Sequence, residues 1–177
     1  TLTLTENKFW KNNSFHANLS LMFLINKKIW FIDSSFQLAS FDIETNQFET
    51  YELENGSTFT SLKYDNDNTI WLSADKGEVL SFNVTKLEFS KKSYLLSNRI
   101  KFGEISTISV SNEWIWLGSH RNGLALINRS NSKNLFFNEK NGLSNNFIAD
   151  IVIDSSGTGW VSTNIGINSV NPTNQLV

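Results

Sequence analysis

Four stretches align on a tryptophan and decide the fold: Ile29–Ser35 (IWFIDSS), Ile70–Gly77 (IWLSADKG), Ile115–Gly123 (IWLGSHRNG) and Gly159–Gly166 (GWVSTNIG). Their tryptophans, Trp30, Trp71, Trp116 and Trp160, stand 41, 45 and 44 residues apart. A period of ~40 to 50 residues is that of a propeller blade and is too long for leucine-rich or ankyrin units. Twelve residues beyond the first three tryptophans stand Asp42, Asn83 and Asn128, and eleven beyond the last stands Asn171, each after an apolar residue. An Asp or Asn side chain hydrogen-bonds the backbone two residues on, so these positions end a strand and open a turn. Leu62, Ile108 and Ile151, eight or nine residues before a tryptophan, sit in apolar alternations that predict a buried strand.

Each repeat therefore holds four strands, a to d. The best-defined one predicts strand a over 105–111, b over 114–119, c over 124–128 and d over 134–138. Trp114 and Trp116 share a face by the two-residue period of a strand, and that face should meet a neighbouring blade. The fold class is all-β, a β-propeller of about four blades of four antiparallel strands. Leu4 to Trp10 resembles a further strand d and the last repeat supplies only strands a to c, so one d, three full sets and a final a, b and c make sixteen strands. Pairing of that segment with the last strand c would close a four-bladed ring. We expect instead an arc cut from a larger ring, because the blades carry bulky aromatics. The exposed ends of such an arc favour self-association, a homodimer included.

Composition narrows the function. The chain has 177 residues and 40 % hydrophobic content, sized for one propeller segment. Fifteen Lys and Arg against seventeen Asp and Glu, in no block, leave no electrostatic footprint for nucleic acid. There is no cysteine, so disulfides, thiolate chemistry and Cys-type zinc sites are excluded. The apolar run from Leu19 to Ile25 is far shorter than the ~20 residues of a membrane span. The chain opens on Thr1 without the regions of a signal peptide, and is expected to be a piece of a longer precursor.

The stretch Asn141 to Pro172, NGLSNNFIADIVIDSSGTGWVSTNIGINSVNP, resembles the two-component regulator propeller repeat. The resemblance rests on Gly142, Leu143, Ser144, Asn145 and Asn146, then Asp154, Gly157, Trp160, Thr163, Gly166, Asn171 and Pro172. The Trp116 repeat keeps Gly118 and Gly123, the Trp71 repeat keeps Asp65 and Gly77, and the first keeps little beyond Trp30. Gly159 departs from the pattern, since the family usually has a bulky apolar residue there. The resemblance implies a segment of the periplasmic sensor region of a bacterial histidine kinase or hybrid two-component system, of the kind common in Bacteroidetes. It further implies companion blades in the parent chain, a membrane helix and kinase downstream, and an oligosaccharide as ligand.

Propellers present ligands on the rim made by b-to-c turns and d-to-a connections, an analogy of fold. Four residues after each tryptophan stand Ser34, Asp75, His120 and Asn164, beside Ser35, Lys76 and Arg121; the d-to-a connections add Asn98, Arg99, Ser144, Asn145 and Asn146. From these, Asp75, His120, Arg121, Asn145, Asn146 and Asn164 are the candidate ligand-binding residues, since amide, hydroxyl and charged groups suit the hydroxyls of a sugar. No catalytic residue, metal ligand or cofactor is expected. His16 and His120 belong to no His-x-x-x-His pair, and no Gly-x-Ser-x-Gly elbow or phosphate loop occurs. Asp33, Glu44, Asp75 and Glu104 have no spacing that fixes a carboxylate pair for glycoside hydrolysis. Asp65 and Asp154 stand at equivalent a-to-b turns and are expected to shape them. A protein-interaction scaffold and a propeller hydrolase or lyase remain the competing readings.

Overall fold

The computed structural model describes residues 22–53, 56–65, 67–74, 77–95, 102 and 105–173. Among them the chain is all-β, with one short 3-10 turn, Glu139–Asn141. Each tryptophan repeat folds as one antiparallel meander, the sheet of a propeller blade. Leu4 to Trp10, His16, Asp75, Lys76, Asn98, Arg99 and Glu104 lie outside the described residues.

The chain divides into two compact units, residues 1–58 and 59–177. The described part of the first is a sheet of β1 (Met22–Ile25), β2 (Lys28–Ile32), β3 (Leu38–Asp42) and β4 (Phe48–Tyr51), paired in chain order. Asn26 and Lys27 join β1 to β2 with both φ values positive, 49° and 64°, the geometry that matches the twist of a two-residue hairpin. Phe31, Ala39 and Phe41 form its apolar cluster, with Ile29 and Phe48 packed against it. Trp30, 1 % exposed, stacks on Tyr51 at 5.4 Å. Burial pushes the Tyr51 hydroxyl up to about 12.

The second unit holds three sheets. β5 (Phe59–Asp65), β6 (Thr69–Ala74), β7 (Glu78–Asn83) and β8 (Glu88–Phe89) form one, and β9 (Tyr94–Leu95) also pairs with β7. β10 (Ile105–Val110), β11 (Trp114–Ser119), β12 (Leu124–Asn128) and β13 (Asn134–Phe137) form the next, within one residue of the predicted strands. β14 (Ile148–Ile153), β15 (Gly159–Thr163) and β16 (Gly166–Val170) form the last, with no fourth strand among the described residues. The a-strands β5, β10 and β14 lie side by side, and each shifts register by one residue near its start. At the bulge in β10, Ser106 Oγ donates to the carbonyl of Ile148 at 3.0 Å and ties two sheets together.

The sheets stack through their tryptophans. Trp71 joins Ile105, Ile108, Ile115 and Leu117 of the following sheet in one cluster. Trp114 and Trp116 do the same with Ile148, Ile151 and Val161, the shared face their spacing predicts. A Cβ on Gly159 would overlap the Trp116 ring, so the glycine in place of a bulky residue makes room for the indole of the preceding repeat. The pattern ends at the last sheet. Trp71 and Trp116 are 3 % and 0 % exposed, whereas Trp160 is 48 % exposed beside Val152 and Ile167. Trp160 is therefore not buried like the other repeat tryptophans, because the described residues of this unit place no further sheet on that face.

Turn chemistry explains the remaining recurrences. The Oδ1 atoms of Asp42, Asn83, Asn128 and Asn171 each accept from a backbone N–H two residues ahead, at 2.9 to 3.0 Å. Asp65 and Asp154 shape their turns as expected, and each also accepts from the indole N–H six residues on, Trp71 at 2.7 Å and Trp160 at 3.0 Å. In the Trp116 repeat the equivalent hairpin is one residue shorter and brings Ser111 to that place, where its hydroxyl bonds the backbone of Trp114. The Trp116 Nε1 is left buried without a partner among the described residues.

Candidate functional site

The b-to-c turn of the Trp116 repeat and the connection into β14 meet at one end of the strands. Residues Ser119–Gly123 form the turn: Ser119, 2 % exposed, donates its N–H to the Gly123 carbonyl, and its hydroxyl accepts from the backbone of Arg121 and Asn122. Gly123 has φ +82°, and a Cβ there would meet the backbone of Phe137, so only glycine closes this turn without strain. Its N–H donates to the carbonyl of Asn146 at 2.9 Å, which docks the turn onto the Gly-Leu-Ser-Asn-Asn connection.

That docking brings four of the candidate residues together. His120 is exposed and lies parallel to Phe147, ring centroids 4.6 Å apart and planes 10° apart. Arg121 follows it, also exposed, and its guanidinium has no hydrogen bond or ion pair among the described residues. Asn145 and Asn146 line the same junction with their side chains engaged internally. Asn145 Nδ2 donates to Glu139 Oε1 at 3.0 Å while its Oδ1 accepts from Phe147 N at 2.8 Å. Asn146 Oδ1 accepts from Glu139 N at 2.9 Å. These amides fix the connection, and of the pair only Asn146 Nδ2 is left without a hydrogen bond among the described residues. Asn164 is exposed in the β15–β16 turn, next to Thr163. A relay of Asn168, Ser144 and Thr163 ties that turn to the same connection: Asn168 Nδ2 donates to Ser144 Oγ at 2.7 Å, and Ser144 Oγ lies 3.0 Å from Thr163 Oγ1. Ser34 and Ser35 occupy the equivalent turn of the first unit.

Phe147 and Asn122 were not singled out in the sequence. The aromatic directly after the Asn-Asn pair is the signal that could have found Phe147. Asn122 Nδ2 donates to the carbonyl of Phe102 at 2.6 Å, so it braces the turn. Among the described residues no three His, Asp or Glu side chains converge in a way that could hold a metal ion. Chemically the rim offers a flat two-ring surface, a free guanidinium and an exposed amide.

No protein-family model and no curated protein matches the chain. The fold has close likenesses among solved structures. The extracellular domain of BT3049, named as a hybrid two-component system of B. thetaiotaomicron, superposes with a TM-score of 0.68 over 85 % of this chain, at 15 % identity. That of BT4673 from the same organism gives 0.63 over 88 %, at 21 % identity. The computationally designed Ika4 protein gives 0.60 over 89 %, at 13 % identity. The chain spans 22 % and 20 % of the two ectodomains and 94 % of the designed protein. At these identities the likeness shows the fold alone, that of a β-propeller repeat protein. No helix among the described residues is long and apolar enough to cross a membrane.

Proposed function

We propose that the chain is a non-catalytic segment of the periplasmic sensor region of a two-component histidine kinase, where it contributes to recognition of a carbohydrate-like ligand. The observation that carries this reading is the fold shared with B. thetaiotaomicron ectodomains, on which the motif from Asn141 to Pro172 stands. The rim supports the ligand class. The stacked rings of His120 and Phe147 suit the C–H face of a pyranose, while Arg121 and Asn164 supply donors for hydroxyl groups. Asp75 belongs to the same set by its place in the repeat.

The test is calorimetric titration of an oligosaccharide panel into the chain and into the whole ectodomain, with the double variant His120→Ala/Arg121→Ala alongside. Binding of a glycan that the double variant weakens at least tenfold supports the site. Unchanged affinity in that variant removes the rim from recognition, and failure of every glycan to bind either protein removes the ligand class. The open face of Trp160, Val152 and Ile167 favours a second reading, a scaffold covered by companion blades or another protein. A single stoichiometric protein partner, with no glycan response, would select it.

A further inference from the structure

The opposite end of the same strands carries a second concavity. β11 runs from Trp114 to the His120 turn, so the a-to-b turn before Trp114 lies at the far rim. There, the turns of the third and fourth repeats and the segment after β16 enclose a cleft of about 450 Å³. That volume falls in the ~300 to 1,000 Å³ range of small-ligand sites. Val110, Trp114, Ile153 and Pro172 give it an apolar wall. Trp114 is 8 % exposed, and its indole N–H is buried without an acceptor among the described residues.

The charge of the lining has one sign. Among the described residues it contains Glu113 and Asp154 and no lysine, arginine or histidine. Asp154 spends its oxygens on Ser156, Thr158 and Trp160, all neutral donors, so its charge stays uncompensated. The exposed Glu113 carboxylate has no hydrogen bond or ion pair among the described residues. Arg129 donates to the carbonyls of Ser111 and Asn112 and lies over the Trp71 ring at 4.9 Å, so it brings one positive charge to the same turn. An unpaired Glu113 carboxylate and an Asp154 met only by neutral donors, against the one guanidinium of Arg129 and beside an indole and a proline, favour a cation whose stem is apolar over an anion.

We propose that this cleft binds a cationic group on an apolar stem: a primary ammonium, whether as a free amine or as a lysine side chain of a peptide. Glu113 pairs with the cation, and Trp114 with Pro172 holds the stem. The experiment follows the Trp114 indole N–H resonance of the ¹⁵N-labelled 177-residue chain, assigned with Trp114→Phe. Butylammonium and acetyl-Gly-Lys-Gly-amide are the probes, with butyrate and acetyl-Gly-norleucine-Gly-amide as uncharged or anionic controls.

A saturable shift with either cation, with a Kd on the order of 1 mM or tighter, and none with the controls, is the expected result. Tighter binding of the peptide than of butylammonium assigns the source to a peptide, and equal binding assigns it to a free amine. Glu113→Gln, which leaves every backbone contact in place, should weaken binding about fivefold. The proposal is overturned by a silent Trp114 resonance with both cations, by an equal response to butyrate, or by full affinity in Glu113→Gln. None of these outcomes bears on glycan recognition at the His120 rim.

Discussion

Truncation of one repeat tryptophan should cost far more than truncation of another, although the two occupy the same place in the repeat. Trp116 is fully buried between β11 and the sheet of β14 to β16, against Ile148, Ile151 and Val161, and Gly159 leaves space for its ring. Trp→Ala in a core costs ~3 to 5 kcal/mol, the sum of lost transfer energy and an unfilled cavity. One term works the other way: the Trp116 Nε1 is buried without a partner, and an unsatisfied donor carries a penalty of ~1 to 3 kcal/mol that truncation removes. The lower end, about 3 kcal/mol, is therefore expected for Trp116→Ala. Trp116→Phe keeps most of the ring and loses the orphan N–H, so it should cost less than half as much.

Trp160→Ala removes a ring already half in water and should cost about 1 kcal/mol or less. Urea unfolding followed by circular dichroism, with slopes compared across the three variants, measures all of this. Equal losses for Trp116→Ala and Trp160→Ala would refute the reasoning, because burial by the following sheet would then not be the source of the difference.

The remaining predictions concern turns, titration and the open face. Asp65→Ala leaves the buried Trp71 indole without its acceptor and should destabilise by ~1 to 3 kcal/mol in the same urea assay. The hydroxyl of Ser156 first, then the indole of Trp160, holds the Asp154 carboxyl down at about 2. Because the folded value lies below the ordinary 3.8, its contribution is complete above about pH 4 and is lost as pH falls through about 2. Asp154→Asn should accordingly flatten the acid limb of stability between those values, and an unaltered limb counts against the assignment. Gly159→Leu, which restores the family's bulky residue, should overlap Trp116 and cost ~1 to 3 kcal/mol or more. Trp160→Lys should shift the isolated chain toward monomer in sedimentation at high concentration; an unchanged distribution would show that this face does not drive association.

The repeat was legible because its signals are local. A tryptophan on strand b, an Asp or Asn that closes the c-to-d hairpin, and period-two alternation all act within a few residues, and they placed β10 to β13 almost to the residue. What was not legible depends on distant partners. The division of strand d into β8 and β9, which pair with opposite ends of β7, follows from a register that composition does not encode. Asn145 and Asn146 read as ligand amides, yet Glu139 engages both, a pairing invisible until the connection folds back. His120 and Phe147 come from different connections and meet only because Gly123 docks on Asn146. Trp160 carries the repeat signature, but its burial depends on a covering sheet rather than on its own repeat.

The most direct measurement is the sequence of the parent gene on both sides of this segment. More tryptophan repeats, then ~20 apolar residues and a histidine kinase, are what a sensor segment predicts. A stop codon just after Val177, with a start or signal peptide just before Thr1, would contradict it.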